Sequence, residues 1–84
     1  MFLKMEANNL NHFLEWDKYD VAEWISSLNV SRECCLCFIE KDIKGSDLQS
    51  VASVVELQRI GIDKLGPRIK IKAAIERLLR FTAD

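Results

Sequence analysis

Leu57-Gln58-Arg59-Ile60-Gly61-Ile62-Asp63-Lys64-Leu65-Gly66-Pro67-Arg68-Ile69-Lys70-Ile71 is the stretch whose reading decides the fold. Just ahead of it, Ser53 and Glu56 stand at capping-box spacing, so a short helix opens there and turns Leu57 and Ile60 inward. Gly61 stops that helix, because glycine takes the turn position past a helix end at little steric cost. Proline is tolerated in a first helical turn, so Pro67 marks a new helix opening within 63–68. That helix runs to about Phe81, since Ile71, Ala74, Ile75 and Leu78 recur at helical spacing as one buried stripe.

Working back toward the N-terminus, Asp17 and Asp20 form a second capping-box-like pair. Val21, Trp24, Ile25 and Leu28 follow at i, i+3, i+4 and i+7, and Asn29 ends that helix. Ser31 caps the next, which extends through about Lys41 and sets Cys34, Cys37, Phe38 and the Lys41 stem on one face. Ile43-Lys44-Gly45 breaks it, glycine permitting the turn. A single turn from Ser46 to about Val51 offers Leu48 and Val51 to the core. Residues 1–15 carry no strong period and read as a lead-in to a domain over 16–82, which either lays Phe13 and Leu14 on that domain as anchors or frays. No strand-like alternation with turn chemistry occurs, so the expected fold is all-α, with five helices and a long C-terminal one.

Eighty-four residues suffice for one small domain and leave little room for a deep, water-excluding cavity. Hydrophobic residues make up 49% and charged residues 30%, which is too apolar for a disordered chain. No run approaches the roughly 18 apolar residues needed to cross a bilayer. Met1 to Glu6 has neither the apolar core nor the cleavage site of a secretory signal. Cys34, Cys35 and Cys37 are odd in number and crowded, which suits a reducing compartment, cytoplasmic or nuclear, rather than a disulfide framework. The three lack a fourth ligand near them, so no metal and no cofactor is expected. One histidine, His12, and no Ser/His/Asp or Cys/His grouping leave no nucleophile with a base, so the chain is not read as an enzyme.

The formal net charge of −1 conceals a split. Residues 1–58 hold five basic and ten acidic side chains, a net of −5. Residues 59–80 hold seven basic against Asp63 and Glu76, a net of +5, and Asp84 adds the last −1.

Four segments in order then resemble the SAM (sterile alpha motif) domain family: Trp16-x-x-x-Asp20-Val21-x-x-Trp24-Ile25; Phe38-x-x-x-x-Ile43-x-Gly45-x-x-Leu48; Leu57-x-x-Ile60-Gly61-Ile62; and Leu65-Gly66-x-Arg68-x-Lys70-Ile71-x-x-Ala74-Ile75. The resemblance implies a five-helix bundle and a non-catalytic module that binds another SAM domain, within a signalling or scaffold protein. It implies head-to-tail docking of a basic end-helix surface on an acidic mid-loop surface, and such unlike contacts extend into open polymers when they do not close. Lys64, Leu65, Gly66, Pro67, Arg68, Lys70 and Lys72 match the end-helix position. Glu40, Asp42, Asp47, Val54, Val55 and Glu56 match the mid-loop position. Lys44 and the two valines stand where acidic residues are usual, which weakens the second surface and makes self-association the lesser expectation. Arg68 and Lys70 also suit a structural role, holding neighbouring carbonyls. RNA stem-loop binding through the same basic segment is the alternative; the slightly acidic total and the lack of an exposed aromatic beside the cluster disfavour it. Membrane-surface binding is disfavoured because no wide apolar face is expected to be left over on the last helix.

Overall fold

A computed structural model describes residues 12–83, with side chains to residue 80. Residues 1–11, which make up most of the lead-in, lie outside the described residues, as does the Phe81 side chain. In chain order the elements are η1 (Phe13–Glu15), α1 (Lys18–Ser26), α2 (Arg32–Glu40), η2 (Gly45–Val51), α3 (Val54–Arg59) and α4 (Leu65–Ala83). The all-α architecture holds among the described residues: α1, α2, η2, α3 and the long α4 are the five expected helices, the third in 3₁₀ form.

Each α-helix begins and ends for a local reason. Asp20 N–H donates to Asp17 Oδ1 at 2.8 Å and Asp17 N–H to Asp20 Oδ2 at 3.1 Å, closing the box that opens α1. Ser31 sits at the N-cap of α2, but its hydroxyl lies against Cys34 Sγ at 3.5 Å rather than on a backbone amide. Ser53 Oγ accepts from Glu56 N–H at 3.1 Å, while the Glu56 carboxylate turns to Arg59 at 3.4 Å. Only half of the expected box is therefore made at α3. Gly61, at φ 115°, ends α3 with Gly61 N–H on the Gln58 carbonyl and Ile62 N–H on the Leu57 carbonyl, a Schellman motif.

Helix α2 ends in the same way but without glycine. Asp42, at φ 56°, takes the left-handed position, with Asp42 N–H on the Ile39 carbonyl and Ile43 N–H on the Phe38 carbonyl. The expectation that Gly45 breaks this helix is thus corrected. Gly45 instead begins η2 and is packed so closely on η1 that an added Cβ would lie 1.6 Å from the Phe13 carbonyl oxygen. The last helix also extends two residues past the expected Phe81.

Every element feeds one core. Phe13 and Trp16 join Val21, Trp24 and Ile25 of α1, Cys34 and Phe38 of α2, Ile43, Leu48 and Val51 around η2, Leu57 of α3, Ile62, and Ile71, Ala74, Ile75 and Leu78 of α4. Trp16 stacks at an angle on Trp24, with ring centroids 5.8 Å apart. Of the anchors expected in the lead-in, Phe13 is buried and Leu14 faces solvent. Two expectations at α2 are revised: Cys37, which packs beside Gly61, is half-buried, and Lys41 is exposed beyond the helix end.

Candidate functional site

The start of α4 is built from a turn that the chain itself clamps. Asp63 and Lys64 lead into the helix, and the Lys64 carbonyl accepts from Arg68 N–H at 3.4 Å. Arg68 reaches back to them: Nη2 donates to the Asp63 carbonyl at 2.7 Å, Nε to the Lys64 carbonyl at 3.2 Å, and Nη1 to Gln58 Oε1 at 3.5 Å. Lys70 crosses to the α1–α2 loop and donates to the Asn29 carbonyl at 3.3 Å, where Asn29 holds φ 66°. Lys72 pairs with Glu76 one turn on, at 2.6 Å. That hydrogen bond holds the Glu76 carboxyl below its usual range. Three of the four cations in the expected end-helix segment, Arg68, Lys70 and Lys72, are thus engaged inside the molecule. Pro67 is half-buried and, with Ile62 and Lys64, lines a cleft of about 460 Å³ against Ser31, Glu33 and Cys34 at the start of α2. Glu33 and Asp63 offset Lys64 there, so the cleft has no net cationic field for a phosphate.

What the segment leaves outward is more apolar than its charge suggests. Leu65 is 54% exposed and Ile69 53% exposed, one helical turn apart and so on the same face. Gly66 is exposed beside them, and a Cβ added to it would meet nothing within 4 Å. Ile69 was not among the expected site residues. Its signal was in the sequence: it stands four residues after Leu65 and off the Ile71, Ala74, Ile75, Leu78 stripe. A narrow apolar remnant, Leu65 and Ile69, therefore survives on α4.

The mid-loop residues lie on the end of α2, η2 and the start of α3. Glu40 and Asp42 are exposed, and Asp47 is half-buried. Asp42 is flanked by Lys18 at 3.9 Å and Lys44 at 3.6 Å, and Asp47 accepts from Lys44 N–H at 3.0 Å. Glu56 is paired with Arg59. Most of this acidity is met by neighbours in the same chain. Val54 is half-buried, whereas Val55 is 58% exposed.

The cysteines face inward to different degrees and all are free: Cys34 is buried, Cys35 and Cys37 half-buried. Burial, reinforced by neighbouring Cys34, pushes the Cys35 and Cys37 thiols up from their ordinary value of 9.0, which makes them poor nucleophiles near neutrality. Among the described residues no group of His, Cys, Asp and Glu is arranged to hold a metal ion, and no helix is long and apolar enough to cross a membrane.

The SAM domain (sterile alpha motif) family pattern matches residues 13–79. Among curated proteins, SH3 and multiple ankyrin repeat domains protein 2 of Homo sapiens is 36% identical over 64 residues, which is 76% of this chain and 3% of that protein. Its counterpart in Rattus norvegicus is also 36% identical over the same share of this chain and 4% of its own length. That of Xenopus laevis is 33% identical over 76% of this chain and 5% of its length. The chain thus spans only a small fraction of these relatives. No solved structure gives a significant match.

Proposed function

The chain belongs to the SAM domain family, and from that premise we propose that it is a non-catalytic protein-interaction module docking on another SAM domain through the start of α4. The observation that carries the reading is the outward face of that helix. Leu65, Gly66 and Ile69 stand open beside Lys64 and Lys70, while the buried stripe behind them fixes the helix on the core. A helix N-terminus carries partial positive charge, and the cations add to it, so an acidic partner face is steered toward it. Docking to a different SAM domain and to a second copy both use this face. The mid-loop residues form the weaker, second surface. Residues 16–82, with Phe13 packed into their core, are taken as the module, set within a multidomain protein of the kind whose name counts SH3 and ankyrin repeat domains.

Gly66→Asp is the direct test. Nothing crowds the new side chain, and a carboxylate in the first turn suits the helix dipole, so the fold should be at least as stable. The same carboxylate places negative charge and bulk at the centre of the docking face. Titrating the isotope-labelled chain with itself and with the matching 64-residue segment of the human relative should perturb resonances of 64–72, and Gly66→Asp should remove the effect. The reading fails if neither titration touches that segment, or if the substitution changes nothing.

Protein docking is favoured over RNA binding by the engagement of Arg68 and Lys70 with protein carbonyls, which takes them from phosphate contacts. A titration with stem-loop RNA at low salt that shifts 64–72 would reverse that preference.

A further inference from the structure

We propose that Cys34 and Cys37 are a reversible dithiol–disulfide pair, oxidised within the folded chain by a small disulfide of the oxidised-glutathione class. Docking makes no use of these thiols, so the two readings stand apart. All three cysteines of α2 are free, and helix geometry selects two of them. Residues one or two apart on a helix do not face each other, which separates Cys35 from both neighbours. Cys34 and Cys37 are three apart and share a face, at C-x-x-C spacing. Cys35 turns elsewhere, its Sγ 3.9 Å from the Ser31 carbonyl. Facing Cβ atoms on an α-helix lie about 5–6 Å apart, and a disulfide needs about 3.5–4.5 Å. Tightening that turn toward 3₁₀ form closes the difference, because residues three apart then eclipse. The start of α2 already holds one hydrogen bond of that kind, from Cys34 N–H to the Ser31 carbonyl at 3.1 Å.

The pair has a way in. Cys34, only 6% exposed, lines the cleft of about 460 Å³ between the start of α2 and the α3–α4 turn. Cys37 is half-buried beside Gly61, a lining residue of the same cleft, and a Cβ on Gly61 would stand 3.0 Å from its sulfur. The glycine leaves open a side of that sulfur which any other residue would cover. Cys37, the more accessible thiol, attacks one sulfur of the small disulfide as its thiolate and releases one glutathione thiolate. Cys34 then displaces the second. Two cysteine thiols are oxidised to one disulfide, one glutathione disulfide is reduced to two thiols, and the two cysteine protons pass through solvent to the released glutathiones. Burial, then Cys34, Glu40 and Asp63, hold the Cys37 thiol up against the pull of Lys41, so exchange is slow near neutrality. The tightened turn strains the bond, and a strained disulfide is easily reduced. The pair therefore stays a dithiol in a reducing surrounding and closes under a sustained oxidising one.

Mass spectrometry of the whole folded chain tests this, after incubation with excess oxidised glutathione at about pH 8, where more of each thiol is ionised. Most molecules should lose two hydrogens, regain them in excess reduced glutathione, and keep a cooperative melt by circular dichroism while oxidised. Chymotryptic cleavage after Leu36 should leave the two fragments joined, because the bond spans the cut. Cys35→Ser should oxidise as wild type does, and Cys37→Ser should not lose the two hydrogens. An unchanged mass, or a lasting gain of glutathione with no internal bond, would overturn the pair. Fragments that separate after cleavage would assign the bond to Cys34 and Cys35, and loss of the change in Cys35→Ser would assign it to Cys35 and Cys37; either result refutes the proposal. A doubled mass would place the bond between copies and refute it too. An oxidised chain without a cooperative melt would show that the bond forms only in unfolded molecules. The cleavage is read on wild type, so it tells against the Cys34–Cys35 pairing even where a variant fails to fold.

Discussion

A Cβ built on Gly45 lies 1.6 Å from the Phe13 carbonyl oxygen, whereas one built on Gly66 meets nothing within 4 Å. The first glycine is demanded by the fold, and the second is not. Gly45→Ala should therefore lower stability by about 3 kcal/mol or more in thermal or denaturant unfolding, because the obstructing atom is backbone and cannot rotate away. The sequence marks both positions alike; only the distance across η1 and η2 separates them. The thiols offer a second residue-scale test. Folded Cys35 and Cys37 ionise above 9.0, while the unfolded thiols ionise at their ordinary value. Stability from this source is present below that value and is lost as pH rises through it, so melts between about pH 7 and about pH 10 should fall at the alkaline end. A Cys35→Ser, Cys37→Ser variant should lose that alkaline decline.

At the scale of elements, α4 is anchored by more than its apolar stripe. Arg68 joins the α3–α4 turn to the first turn of α4 through two carbonyls and Gln58, all near the surface. Arg68→Ala should cost about 1 kcal/mol in a thermal melt, discounted for exposure, and Arg68→Lys should not restore it because an ammonium cannot span the same acceptors. Reversing charge at this residue would thus weaken the fold together with any binding, which makes Gly66 the cleaner probe. The Lys72–Glu76 pair sets a smaller acid effect. Glu76 is held below its ordinary value of 4.5, so its contribution is present above that pH and lost as pH falls below it, and Glu76→Gln should flatten this part of an acid titration followed by helix signal. The endings of α2 and α3 were unequally legible. Gly61 announces a left-handed stop, but Asp42 fills the same position in α2 with a residue that occurs there less often.

For the whole molecule, the core gathers residues from every element, and its first contributor is Phe13, only 5% exposed. A chain cut to begin at Trp16 loses that ring and the support it gives Gly45. Removing a buried phenylalanine side chain costs about 3–5 kcal/mol, a large share of what a small domain has, so the cut chain should melt far lower than the full one. Phe13→Ala should reproduce most of the loss by circular dichroism. The sequence by itself determined the all-α class, the order of the helices, the caps at Asp17 and Ser53, the stop at Gly61 and the stripe of α4, because each depends on neighbours within one or two turns. It also determined the −5/+5 division along the chain. Tertiary structure decided which of those charges remain available, since Arg68, Lys70 and Asp42 find partners that come from other turns and loops. It also left Leu65, Gly66 and Ile69 as the open ground between them. A side chain's local period fixes the face on which it lies, but only the packed neighbours fix whether that face is already occupied.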